Sequence, residues 1–474
     1  MDSLDTVIRN GTVVTAADVT RCDVGIRDGR IVTLAADLPE ARQVIDATDR
    51  LVLPGGIDAH VHIDEREFMG VKVADDFESG TLAAACGGTT TIVSFAAQER
   101  GKSLRATVDA YRRLADGKAY IDYGVHLILT DPNEQVLGQE LPALVADGYT
   151  SFKVYMTYEG LRLDDRQILE VMAAAGRDGA RVMVHAENDH CIHWLKDRFL
   201  ATGQTGIGNH GRIAPMPVER EATHRAITLA EIAEVPILIV HVSGREAVEQ
   251  IEWARGRGLE VHAETCPQYL VLSQDDLDRP GIEGAKYVCS PPPRAADNQA
   301  HLWRALARGA FQVFSSDHCP YVFAGPGGKQ RHGPNPGFHQ VPPGVPGIET
   351  RLPLLFSEGV GKGRIDLNAF VALSATNAAK LYGLYPRKGT LAVGSDADIA
   401  IWDPEREVTL THDALHDKAD YTPYEGLRIK GWPVTTLSRG EVVWAEGEVR
   451  AAPGRGAFVA RERAPFAGPG GNRA

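Results

Sequence analysis

The sequence predicts an α/β protein: a (β/α)8 barrel carrying a small β-sandwich assembled from both ends of the chain. Two observations predict it. Across the middle of the chain, eight apolar, β-branched runs alternate with amphipathic stretches, the pattern of parallel strands covered on both faces by helices. At each end, short alternating runs are broken by Gly and Asp-Gly turns, the pattern of hairpins.

The N-terminal pieces are TVIRNGTVVT, DVGIRDGRIVTLAA and QVIDATDRLVL. The C-terminal pieces are GTLAVGSDADIAIWDP and PVTTLSRGEVVWAEGEVR. Together they predict a sandwich from 1–52 and 390–452, since chain ends often lie close together. The barrel is expected over 53–389. Its strands read LVLPGGIDAHVH, TTTIVSFAA, YGVHLILTD, SFKVYMTY, RVMVHAEN, PILIVHVSG, LEVHAETCPQYL and FQVFSSDHCP. Helical pieces such as DRQILEVMAAAGRDG and ATHRAITLAEIAE separate them. No repeat of 20–50 residues is visible, which argues against a solenoid. From 453 to 474 the chain is rich in Gly, Pro and Arg and is expected to form an extended arm, able to reach a neighbouring subunit, or to be partly disordered.

Bulk composition narrows the function. The 474 residues are 43% hydrophobic and 24% charged, ordinary for a globular protein. A net charge of -13 leaves no basic stripe for nucleic acid. No apolar run is long enough for a membrane span, and the N-terminus lacks the pattern of a signal peptide. Six scattered cysteines without C-x-x-C spacing suggest a reducing cytoplasm rather than a disulfide framework.

Barrels keep their chemistry at the C-terminal ends of their strands. There the chain places His60 and His62 on the first strand, Lys153 on the fourth, His185 on the fifth, His241 on the sixth and Asp317 on the eighth. The two-residue spacing of His60 and His62 puts both imidazoles on one strand face. A histidine at one strand end is usually a hydrogen-bonding group, but five imidazole or carboxylate groups at one rim point to a divalent cation. The set suits Zn²⁺, and also Mn²⁺, Fe²⁺ or Co²⁺. Cys319, near Asp317, reads as a small buried hydrophobe. Lys153 poses a separate problem, because a buried ammonium is costly unless paired or neutralised. Desolvation and nearby cations lower its pKa, and a neutral amine can capture CO₂ as a carbamate, an anion able to bridge two metals.

The pieces GGIDAHVHID, DDFESGTLAAACGGTTTIV, SFKVYMTYEG, VMVHAEN, IVHVSG, ETCPQYL, YVCSPPPR and SSDHCP resemble the amidohydrolase superfamily, in its dihydropyrimidinase/D-hydantoinase group of cyclic amidases. The resemblance runs from about residue 50 to 400. It implies two divalent ions, zinc by expectation, bridged by N6-carboxylated Lys153. His60 and His62 would bind one ion, sharing Lys153 and Asp317 with it; His185 and His241 would bind the other. It also implies ring opening of dihydropyrimidines or 5-substituted hydantoins to N-carbamoyl amino acids. Asp317 would carry the proton, and the Tyr158 phenol would donate to the oxyanion. Substrate contacts would come from Tyr158, from the Ser290 backbone and from Pro343, which stands where the family has an asparagine. Proline keeps the carbonyl but lacks the N–H and the amide side chain.

The loop Asp64-Glu65-Arg66-Glu67 is more charged than in relatives acting on aryl or alkyl hydantoins. Its charges are expected to face solvent, with contact to a polar substrate as the alternative. Tyr155 points either into the pocket or into the core. Allantoinase, or another cyclic imide or ureide hydrolase, is the alternative activity. Dihydroorotase fits less well, because Asp64 stands where an arginine would grip the substrate carboxylate. A non-catalytic dihydropyrimidinase-related scaffold would have lost metal ligands, and none is missing here. The resemblance further implies a dimer or tetramer acting on a small molecule, with no nucleic acid or membrane partner.

Overall fold

The computed structural model describes residues 3–463; positions 464–474 of the expected arm lie outside the described residues. Eight parallel strands form the central sheet. They are β1 Gly56–Val61, β2 Thr89–Ala97, β3 Asp122–Ile128, β4 Ser151–Tyr155, β5 Arg181–His185, β6 Ile237–Ile239, β7 Val261–Thr265 and β8 Val313–Phe314. Each pairs with its neighbour in chain order. Helices cover the outside and start on side-chain caps: Asp76 for Phe77–Cys86, Ser103 for Leu104–Ala115 and Asp164 for Asp165–Arg177.

The β8 strand is only two residues long, and the segment after it completes the circle. Val61 bridges His318, and the His62 N–H donates to the His318 carbonyl at 2.7 Å. Arg351, fully buried, fills the gap beneath. Its guanidinium donates to the Phe314 carbonyl at 2.7 Å and the Ile57 carbonyl at 3.3 Å, and lies 3.3 Å from the Asp58 carboxylate.

The run LVLPGGIDAHVH, read above as one strand, is two. Leu51–Pro54 pairs with Ile399–Thr409 in the sandwich, and Gly56–Val61 opens the barrel. Gly55 is the crossing point. A Cβ there would stand 2.2 Å from Thr90 Oγ1, so the two sheets meet only over glycine. The sandwich has a four-stranded sheet built from Thr6–Arg9, Asp23–Arg27, Arg30–Ala35 and Gln43–Asp46. Its seven-stranded partner joins Thr12–Val14, Val19–Arg21 and Leu51–Pro54 to Ile399–Thr409, Arg428–Ser438, Glu441–Ala445 and Glu448–Val449. Both chain ends thus share one core, with Ile8, Val24, Val52, Ile399 and Leu437 inside it.

Residues 453–463 run against the base of their own barrel. Val459 N–H donates to the Tyr123 carbonyl at 2.8 Å, and Ala457 N–H to Asp122 Oδ1 at 3.0 Å. Arg461 enters the barrel floor, donating to Ser151 Oγ at 2.7 Å and to the Val125 carbonyl at 2.6 Å. Burial pulls its pKa down to about 10. Beside it, buried Lys388 is held by Asp122 and Asp398 at 2.8 and 2.6 Å.

Candidate metal centre and substrate pocket

At the opposite end of the barrel the polar strand ends converge. Lys153 Nζ lies 2.9 Å from His60 Nε2, and Asp317 Oδ1 lies 3.0 Å from His60 Nε2 and 3.4 Å from His62 Nε2. Across the mouth, His185 Nδ1 and His241 Nε2 face each other at 2.8 Å. One donor atom each from His60, His241 and Asp317 falls within 4.8 Å of the others. Lys153 and the four histidines are buried, and Asp317 is 12% exposed. All six residues singled out from the sequence therefore meet at one place. His241 and Asp317 hold left-handed backbone, φ 39° and 51°, just beyond the ends of β6 and β8. Such conformations cost a few kcal/mol unless the surroundings enforce them, and they turn both side chains back over the barrel axis.

Three imidazoles are held from behind by glutamates; the sequence reading gave Glu264 and Glu187 no role and expected Glu65 to face solvent or a polar substrate. His60 Nδ1–H donates to Glu264 Oε1 at 2.6 Å, His62 Nδ1–H to Glu65 Oε1 at 2.6 Å, and His185 Nε2–H to Glu187 Oε2 at 2.8 Å. A carboxylate on the far nitrogen fixes the tautomer and aims the other lone pair at the centre. One signal was available: an acid inside an apolar strand run, as at Glu264 in β7, is costly unless it has such a partner.

The electrostatics follow from burial. Desolvation pulls the Lys153 amine below its ordinary range, opposed by Asp317, Glu264 and Glu65. Burial raises the Asp317 carboxyl, but the charge and hydrogen bonds of His60 and His62 outweigh it and hold Asp317 well below the usual carboxylate range. Burial, reinforced by Glu187, keeps the Tyr158 phenol protonated.

These groups line a pocket of about 110 Å³ together with Ser290, Pro343, Cys319, Tyr155 and Glu65. Tyr158 has φ 74° and packs edge-on against Phe68, with ring centres 5.6 Å apart. Tyr155 faces the pocket and stacks on His185 at 5.1 Å. Cys319 is a wall residue, half-buried rather than sealed in the core. Of the charged loop, Arg66 and Glu67 face solvent as expected, but Glu65 turns inward. Its hydrogen bond to His62 is what draws it in.

The family model described as "Amidohydrolase family" matches residues 51–443. The chain belongs to the amidohydrolase family. The D-hydantoinase of Rhizobium radiobacter is 46% identical over 461 residues, covering 97% of this chain and 99% of that protein. A solved D-hydantoinase structure matches with a TM-score of 0.94 at 46% identity, over 97% of this chain and 99% of its own. The crystal structure of dihydropyrimidinase from Brevibacillus agri matches with a TM-score of 0.93 at 44% identity, over 97% and 99%. These likenesses put this amidohydrolase in the hydantoinase group. The convergence of His60, His241 and Asp317 makes this a candidate centre for divalent metal, in keeping with the family. Imidazole nitrogens that face one another at hydrogen-bond distance, with His60, His62 and His185 fixed from behind, are a donor set suited to such an ion.

Proposed function

We propose that this protein is a metal-dependent cyclic amidase that opens hydantoin or dihydropyrimidine rings to N-carbamoyl amino acids. One observation carries the reading: four imidazoles, Asp317 and Lys153 converge beside the pocket in a chain that matches a D-hydantoinase over 97% of its length.

In this reading His60 and His62 hold one ion and His185 and His241 the other, with Zn²⁺ the ion that best suits imidazole and carboxylate together. Asp317 completes the first site. Lys153, whose amine burial pulls below its ordinary range, would add CO₂ and release one proton, and the resulting carboxylate would help hold the ions. When bound, the ions supply Lewis acidity and lower the pKa of water.

The chain's own residues do the rest. Asp317 Oδ1, beside His60 and His62, takes a proton as attack begins and returns it to the leaving ring nitrogen. Tyr158 keeps its proton at the pocket wall and donates to the oxygen on which charge develops. The Ser290 backbone and the Pro343 carbonyl offer hydrogen-bonding edges to the cyclic amide. Pro343 narrows this contact to an acceptor.

The test is Lys153→Ala in protein purified with zinc and bicarbonate. Bound metal and opening of hydantoin and dihydrouracil are both expected to be lost, and short carboxylic acids to restore part of each. An alanine variant that keeps its full metal content and rate sinks the reading. The six unpaired cysteines support a reducing compartment, the cytoplasm. Among the described residues, no helix is long and apolar enough to cross a membrane. Assembly as a dimer or tetramer is checked by light scattering.

A further inference from the structure

We propose that Glu65 selects the exocyclic substituent of the ring, favouring an apolar stem that ends in a cationic or N–H-bearing head. The inference rests on the ring-opening reading above and names the substrate class of that site.

The pocket at the metal centre adjoins a second cavity of about 390 Å³. Glu65, Phe68, Tyr155 and Leu161 line both, so these four side chains form the wall between them. The inner surface of the second cavity is apolar, with Ala110, Leu114 and Ile128 among its lining. Its charged lining residues all lie on the loop 64–67.

Within that loop most charges are already engaged or face water. Asp64 Oδ2 accepts the Phe77 N–H at 3.1 Å. Arg66, 59% exposed, pairs with Glu99 at 3.0 Å. Glu65 is only 20% exposed, and one of its oxygens accepts from His62. Its second oxygen has no protein partner among the described residues. After burial, the Glu65 charge is the next influence raising the Tyr155 phenol, so the charge is felt at the wall between the cavities.

A half-buried carboxylate with a spare acceptor discriminates by chemistry. An alkyl or aryl group laid against it strips water from the oxygen and returns no hydrogen bond. An anionic group is repelled. An ammonium, guanidinium, imidazole or ureido head supplies the missing donor while its stem fills the apolar cavity.

The experiment is competitive ring opening by the zinc-loaded protein. Hydantoin substituted at carbon 5 with 4-aminobutyl is paired with its pentyl analogue, then with its 2-carboxyethyl analogue, in one vessel. Competition yields a ratio of kcat/KM values that is independent of how much enzyme is active. That matters because Glu65 also touches His62, and a metal loss lowers both rates alike. Metal content is measured on each variant. The wild type is expected to favour aminobutyl over pentyl by about tenfold, with carboxyethyl the poorest. Glu65→Gln is expected to shrink the charge preference, and Glu65→Leu to turn it toward pentyl. Equal rates for aminobutyl and pentyl in the wild type, or an unchanged ratio in Glu65→Gln, overturns the inference and leaves the ring-opening reading standing. If the zinc-loaded wild type opens no hydantoin, both fall together.

Discussion

Glu264 offers the sharpest handle on how the metal centre is held. It is fully buried at the end of β7, and one of its oxygens serves two donors: His60 Nδ1–H at 2.6 Å and the His241 backbone N–H at 3.0 Å. Glu264→Ala strands both. An unpaired buried donor costs about 1–3 kcal/mol, so the two together remove about 2–6 kcal/mol of stability before any cavity is counted. Glu264→Gln keeps an acceptor of the same shape and gives up only the charge, so its loss is smaller. The same carboxylate orients His60, and removing such a partner lowers metal affinity by about 10–100-fold. Two measurements read these effects: thermal melting with and without zinc, and metal retained against a graded series of chelator. The expected order of both stability and retention is wild type, then glutamine, then alanine. An alanine variant that melts with the wild type and holds its ions at the same chelator concentration would refute the argument. The two hydrogen bonds would then carry no weight.

Two further outcomes are expected. Tyr158→Phe removes the phenolic donor while keeping the ring that packs on Phe68; kcat for hydantoin should fall by about 10²–10³ with KM little changed, and a fall confined to KM would contradict the assigned role. Lys329, behind the Ser290 loop, donates to the Ala285 and Val288 carbonyls at 2.8 and 3.0 Å, and burial pulls its pKa from 10.5 to about 7. Between those two values the unfolded chain keeps a proton that the folded chain has shed, so this lysine's contribution to stability grows as pH rises through the window. The difference in melting temperature between wild type and Lys329→Met should therefore move in favour of the wild type from pH 7 to 10; a difference flat with pH would count against the shift.

The eight strands and the side chains that converge at the candidate metal centre were legible because both signals are local. A strand covered on both faces announces itself as an apolar run, and His60 and His62 carry their spacing within it. What lay beyond the sequence depends on where distant side chains point. Glu264 holds a histidine 204 positions away. Arg351 fills a gap that exists only because β8 stops after two residues. The break at Gly55 is invisible in an unbroken apolar run, since the crossing is set by the approach of Thr90. Glu65 looked like a surface charge because its neighbours are; its partner, the far nitrogen of His62, cannot be seen without the fold.

The course of residues 453–463 bears on how the molecule is made. Arg461 enters the barrel floor, and Leu51–Pro54 pairs with Ile399–Thr409. A nascent chain leaving the ribosome therefore exposes the edge of Leu51–Pro54 until residues from Ile399 on have emerged, and its barrel stays unstoppered until Arg461 follows. Such an edge invites pairing with the wrong chain. Sealing of the barrel floor thus waits on Arg461, and a chain cut before that residue would have a barrel with an open base.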